Sequence, residues 1–146
     1  MIDLRISGFP APQGSKRHVG NGIMVEMTTK LKPWRKAIAD EALSRGHVGA
    51  RLEGPLHVRC VFFYKRPKSH YYTGRRSDVL RENAPMYVAI APDIDKLLRS
   101  TYDALTQSHV ILDDKVIVSG SQMMVYSNDG WSGAQVTITN VGDTWL

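Results

Sequence analysis

The chain has 146 residues, 42% hydrophobic and 23% charged, which is the length and composition of one soluble domain with a core of its own. Its 19 Lys and Arg outnumber 14 Asp and Glu for a net charge of +5, and a single cysteine excludes an internal disulfide. No run of about 18 apolar residues is present to span a membrane, and MIDLRISGF lacks the basic-then-apolar plan of a signal peptide, so a cytoplasmic setting is expected.

DLRISGF (3–9) alternates polar and apolar residues and reads as a first strand. PAPQGSKRHVGNG follows as a loop punctuated by proline and glycine, in which Asn21-Gly22 signals a hairpin between HV and IMVEM. Thr28 or Thr29 is placed to cap a helix over about 30–46. In it Leu31, Trp34, Ile38 and Ala42, with the neighbouring Ala37 and Leu43, recur at three- and four-residue spacing, and Gly46 and Gly49 mark the end. LHVRCVFFYKR (56–66), rich in β-branched and aromatic residues, reads as a central strand with Cys60 as a buried thiol.

From Pro67 to Pro92 the pattern dissolves into a long polar connection; loops of that length inside a domain are usually functional or disordered. A second helix is expected over about 94–107, burying Leu97, Leu98, Thr101, Ala104 and Leu105. KVIVSGSQMMVYS (115–127) and GAQVTITNV (133–141) read as two strands joined by NDGWSG as a hairpin. No repeat or domain boundary interrupts residues 1–146, and the order β(ββ)-α-β-α-β-β predicts a single α+β domain with one mixed sheet and two main helices.

The charges are unevenly spread. Arg59, Lys65, Arg66, Lys68, Arg75 and Arg76 lie between Glu53 and Asp78 with no acid among them, and Lys16-Arg17-His18 and Lys30, Lys32, Arg35 and Lys36 form two further basic clusters. Such clusters suit a polyanionic partner, or simply a solvated surface. Residues 91–120, in contrast, gather Asp93, Asp95, Asp103, Asp113 and Asp114, five of the 14 acidic residues. Each has a structural use available: Asp93 as an N-cap after Pro92, Asp95 against the helix dipole, Asp113 and Asp114 as turn residues. If the strand after Asp114 lies beside the helix, Asp93, Asp95 and Asp114 can instead converge with Asp113. Converging carboxylates repel unless a divalent cation sits among them, and an all-oxygen set suits Mg²⁺ or Mn²⁺. Arg99, four residues after Asp95, is placed either for a phosphate or for an ion pair with Asp95 or Asp103. Lys96 stands beside the same acids. The five histidines show no metal-ligand spacing, and Walker A, Gly-x-Ser-x-Gly and EF-hand patterns are absent.

The stretch PDIDKLLRSTYDALTQSHVILDDKVIV, Pro92 to Val118, resembles the Pro-Asp-x-Asp-Asn-Leu … Asp-Ala-Leu … Asp-Asp-x-x-Val pattern of the RusA family of Holliday junction resolvases. GFPAPQGSKR and RPKSHYYTG also look like segments of phage-type members. The resemblance implies a homodimeric, Mg²⁺-dependent endonuclease (Mn²⁺ as substitute) that cuts four-way DNA junctions symmetrically, leaving a 5′-phosphate and a 3′-hydroxyl. It implies metal binding by Asp93, Asp95 and Asp114, with Asp113 in support. Arg99 falls where the family often has a catalytically important lysine, and Lys96 replaces the usual asparagine. Lys16, Arg17, Lys65, Arg66, Lys68, Arg75, Arg76 and Lys96 are candidate DNA contacts, with Tyr71 and Tyr72 placed to stack on bases. Two alternatives stand beside this reading: a nuclease for another branched substrate such as a fork or flap, and a non-catalytic junction-binding protein whose acids only cap and turn.

Overall fold

In β1 (Ile2–Ser7) Ile2, Leu4 and Ile6 are buried while Asp3, Arg5 and Ser7 face outward, the two-residue period of a strand covered on one side. β4 (Gly133–Asn140) repeats it with Ala134, Val136 and Ile138, and β2 (Leu56–Lys65) with Val58, Cys60, Phe62 and Tyr64. The computed structural model describes residues 1–14 and 22–142, with the backbone alone over 22–28. Its sheet has the order β1-β4-β2-β3, where β3 is Ile117–Ser127; β4 is antiparallel to both β1 and β2, and β3 is parallel to β2. Two helices, α1 (Gly22–Ser44) and α2 (Ile94–Gln107), pack on the buried face. The result is the expected α+β fold with a mixed sheet. Among the described residues no helix is long and apolar enough to cross a membrane.

Three expectations are corrected. Residues 22–29 begin α1 instead of forming the second half of a hairpin, so Thr28 and Thr29 lie inside the helix, which runs on through Pro33 at the loss of one backbone bond. Of its expected apolar face, Trp34, Ile38 and Ala42 are buried, but Leu43 is 66% exposed because it lies one residue off that stripe. The third concerns NDGWSG, which is no hairpin turn. β2 lies between β3 and β4, so this segment carries the chain past the edge of β2 to its far side.

The parallel pairing of β2 with β3 demands a long crossover, and residues 66–116 supply it through α2. α2 is fixed by Leu97, Thr101 and Leu105, all fully buried, and by the Ser100 hydroxyl, which donates to the Ala11 carbonyl at 2.6 Å. Cys60 is buried as expected, and burial pushes its thiol pKa up to about 12.

The connection 67–92 is folded. Short 3-10 turns form at Lys68–His70 and Gly74–Arg76, Tyr71 pairs with Leu80, and Tyr87 pairs with Val125 on the outer edge of β3. Arg66 holds it, which departs from the expectation of a phosphate contact there. The residue is 7% exposed; Nε donates to Asn128 Oδ1 at 2.9 Å, Nη1 donates to the Pro85 carbonyl at 2.6 Å, and Nη1 lies 3.3 Å from His70 Nδ1. An arginine tucked under a loop rather than offered to solvent follows from its planar fork, which satisfies several acceptors at once. Tyr72 is engaged as well, beneath Arg76 at 4.0 Å and near Arg81 at 5.1 Å.

Two outcomes follow. Leu97→Ala should cost about 2–5 kcal/mol in urea unfolding, since it opens a cavity under α2. Arg66→Met should leave two acceptors unpaired and speed limited proteolysis within 67–92; unchanged protease resistance would show that other contacts hold the loop.

Candidate active site along the second helix

Asp93 stands immediately before α2 with φ −71° and ψ 134°, the extended backbone of an N-cap, yet its side chain makes no capping hydrogen bond. Its carboxylate is 65% exposed, and the nearest cation is Lys96 Nζ at 3.7 Å. Asp95 lies in the first turn and is exposed. Placement there favours negative charge through the unpaired amides of the helix start, worth less than about 1 kcal/mol each at an exposed site. The capping alternative therefore does not describe what Asp93 does. It does describe Asp113, whose Oδ1 accepts from the Lys115 amide at 3.0 Å and opens the 3-10 turn Asp114–Val116.

Asp95, Arg99 and Asp103 follow one another at four-residue spacing along one side of α2, and Thr106 continues the row. At its far end the Thr106 hydroxyl donates to Asp114 Oδ1 at 2.5 Å, and Asp103, three residues before Thr106 on the same side of α2, lies near enough to feel the Asp114 carboxylate. Arg35, reaching over from α1, places Nη2 3.1 Å from Asp103 Oδ2 and donates from the same nitrogen to Gln13 Oε1 at 2.5 Å. Arg99 is exposed and forms no ion pair among the described residues, though its charge reaches Asp103.

The electrostatics of this end combine burial with a like charge nearby. The Asp103 pKa is raised, first by burial and then by Asp114, while Arg35 and Arg99 oppose the shift. Burial, followed by Cys60 and Asp114, likewise lifts the Tyr102 hydroxyl to about 12. A carboxyl that holds its proton more tightly when folded loses stability as pH rises from its unfolded pKa through its folded one. With both acids ionised the Asp103–Asp114 pair is thus a local cost of folding, and added positive charge would relieve it.

The sequence placed Asp93, Asp95 and Asp114 around one point, and a single chain does not bring them together. Asp114 rests against Thr106, eleven residues beyond Asp95, so about 16 Å of helix axis separates the two groups. Among the described residues no three His, Cys, Asp or Glu side chains gather closely enough to hold a metal ion. The carboxylates divide between the two ends of α2, Asp93 and Asp95 at its start and Asp103 with Asp114 at its far end. Asp103 and Thr106 were missed as neighbours of Asp114, although the four-residue spacing from Asp95 through Arg99 contained the signal. Arg35 and Gln13 carried no such signal, because only tertiary packing brings them to α2.

Of the expected DNA contacts, Lys65, Lys68, Arg75 and Arg76 are exposed, Lys96 is partly so, and Lys16 and Arg17 lie outside the described residues. Tyr71 and Tyr72 are half-buried. Next to Asp93 an open groove of about 600 Å³ is lined by Tyr87, Ile90, Pro92, Gln122 and Met123. Ile90 is 69% exposed, and beside the groove the outer edge of β3 from Ile117 to Met123 pairs with no described strand.

No curated protein matched the chain. The family model for endodeoxyribonuclease RusA matches residues 7–139, a span that includes β2, β3, β4 but for its last residue, both helices, and all five aspartates of the acidic segment, and begins at the last residue of β1. That family acts on DNA junctions as endonucleases, and this chain, with its row of acids on α2 and the turn beyond, belongs to it.

Proposed function

We propose that the protein is a homodimeric, Mg²⁺-dependent endonuclease that resolves four-way DNA junctions by paired symmetric cuts, with Mn²⁺ as a substitute ion. Asp93, Asp95 and Asp114 are its metal-binding acids, Asp113 supports Asp114, and Arg99 meets the phosphate. The observation that carries this reading is that Asp93 caps nothing and Arg99 pairs with nothing among the described residues, although both lie in the family match. The structural uses left to Asp93, a 3.7 Å approach to Lys96 and the helix start, are weak ones at an exposed site.

The separation of the two carboxylate groups bears directly on the dimer. Among the described residues of one chain no three carboxylates gather into a site, whereas a two-fold partner can bring its Asp114 to the Asp93–Asp95 end of α2. The unpaired edge of β3 and the apolar groove beside Asp93 are the surfaces that favour such an approach. A divalent ion, when bound, supplies Lewis acidity at the phosphate and lowers the pKa of an attacking water. The chain's own residues do the rest. Arg99 presents a fixed planar cation to the developing charge but, being protonated throughout, passes no proton. Lys65, Lys68, Arg75, Arg76 and Lys96, with Lys16 and Arg17, hold the backbone of the arms.

The direct test is a labelled four-way junction with Mg²⁺. Wild type should give paired nicks, and Asp114→Asn should lose on the order of 10³-fold or more in rate while still binding. Faster cutting of forks or flaps would reassign the substrate, and binding without any cut would leave a junction-binding module. In binding measurements without divalent ions, Arg75→Ala/Arg76→Ala should weaken affinity for every DNA form alike. It should also reduce the slope of log K against log salt by roughly 1–2.

A further inference from the structure

Asp103 is not among the acids assigned to metal above, yet it lies against one that is. Thr106 has one hydroxyl proton and two acceptors, Asp114 Oδ1 at 2.5 Å and the Tyr102 carbonyl at 3.0 Å. An ionised Asp114 can only accept, so the contact fixes one of its oxygens to α2. The other neighbour, Asp103, would repel it if both were charged, and Asp103 is held in place by a cation from a different helix. Arg35 Nη2 bridges Asp103 Oδ2 and Gln13 Oε1, and the Gln13 amide in turn donates to the Lys96 carbonyl at 3.0 Å, in the first turn of α2. The bridge therefore spans α1, the N-terminal segment and two turns of α2.

Stability alone does not account for it. The pair is partly exposed, with 24% and 30% of the two side chains accessible, where ion pairs contribute little. Arg35 Nε is meanwhile buried without a hydrogen-bond partner, a cost that a packed apolar side chain would avoid.

We propose that Arg35 and Asp103 are positioning residues that set the orientation of Asp114. This rests on the nuclease reading, in which Asp114 is an active-site acid. Arg35 offsets the charge of Asp103 and fixes its carboxylate; Asp103 and Thr106 together then leave Asp114 one orientation relative to α2. Neither residue touches substrate in this account.

The test uses full-length Asp103→Asn, Arg35→Met, Arg35→Lys and the Arg35→Met/Asp103→Asn double variant on four-way junctions at saturating Mg²⁺. Each of Asp103→Asn and Arg35→Met should lower kcat by about 10- to 100-fold, the usual effect of removing an outer partner of a site ligand, with KM within about twofold of wild type. Arg35→Lys should recover part of the loss, and the double variant should be no worse than the poorer single, because both act through Asp114. Rates within twofold of wild type would overturn the proposal. So would an Asp103→Asn as inactive as Asp114→Asn, since that marks Asp103 as a site acid in its own right. If wild type cuts no DNA, the nuclease reading fails separately, and carboxyl-¹³C spectra of labelled aspartate still decide the point. The Asp114 signal should move in Arg35→Met and Asp103→Asn while the Asp93 signal stays; an unmoved Asp114 signal would overturn the relay.

Discussion

The parallel pairing of β2 with β3 is the constraint on which the rest depends. Antiparallel neighbours can be closed by a tight turn, whereas parallel neighbours need the chain to return the length of the sheet before the second strand begins. α2 makes that return, so its first turn and the turn after its last residue lie at opposite ends of a path set by the sheet. Asp93 and Asp95 occupy one end, and Asp113 and Asp114 the other. The buried row Leu97, Thr101 and Leu105 then decides which side of α2 faces solvent, and with it the direction in which Asp95, Arg99 and Asp103 point.

A basic protein that gathers five of its 14 acids on and around one helix places like charges near one another there. At the Asp114 end burial and, after it, the charge of Asp114 raise the Asp103 pKa, while Arg35 and Arg99 oppose the shift. At the Asp93 end Lys96 stands 3.7 Å away and solvent does the rest. Among the described residues neither end gathers three carboxylates, and under the proposed function a two-fold partner joins the two ends. The basic residues Lys65, Lys68, Arg75 and Arg76, on β2 and the crossover, are exposed, and under the proposed function they meet the DNA backbone while the acids meet the cation.

Much of this was legible in the sequence. α2 was bounded to the residue because Pro92 and Asp93 mark its start and its apolar stripe is narrow. β2 was legible as an interior strand because β-branched and aromatic residues run through it, although its outward side also carries His57, Arg59 and Lys65. The strand pairing was not legible, since NDGWSG has the chemistry of a tight turn and nothing local says that β2 will lie between the strands it joins. The start of α1 was less legible because Asn21-Gly22 is a strong hairpin signal, which masks Ile23 and Met27 although they continue the four-residue spacing back from Leu31. Arg66 shows the limit for side chains. A cation in a basic run reads as surface, and only the folded crossover reveals the carbonyl of Pro85 and the amide of Asn128 waiting beneath. The acidic centre was found by residue type and spacing, while its division between two ends depended on the length of α2 between them.

The central claim is that acids from the two ends of α2 act together across a dimer, and a subunit-mixing measurement tests it most directly. Asp93→Asn and Asp114→Asn proteins, each inactive alone, would be mixed, allowed to exchange, and assayed on a labelled four-way junction with Mg²⁺. A site shared between subunits predicts that the mixture regains nicking, on one strand of each junction, because the mixed dimer holds one site with both acids intact. A mixture as inactive as its parents, from a wild type that cuts, would contradict the shared site and place all the working acids within one chain.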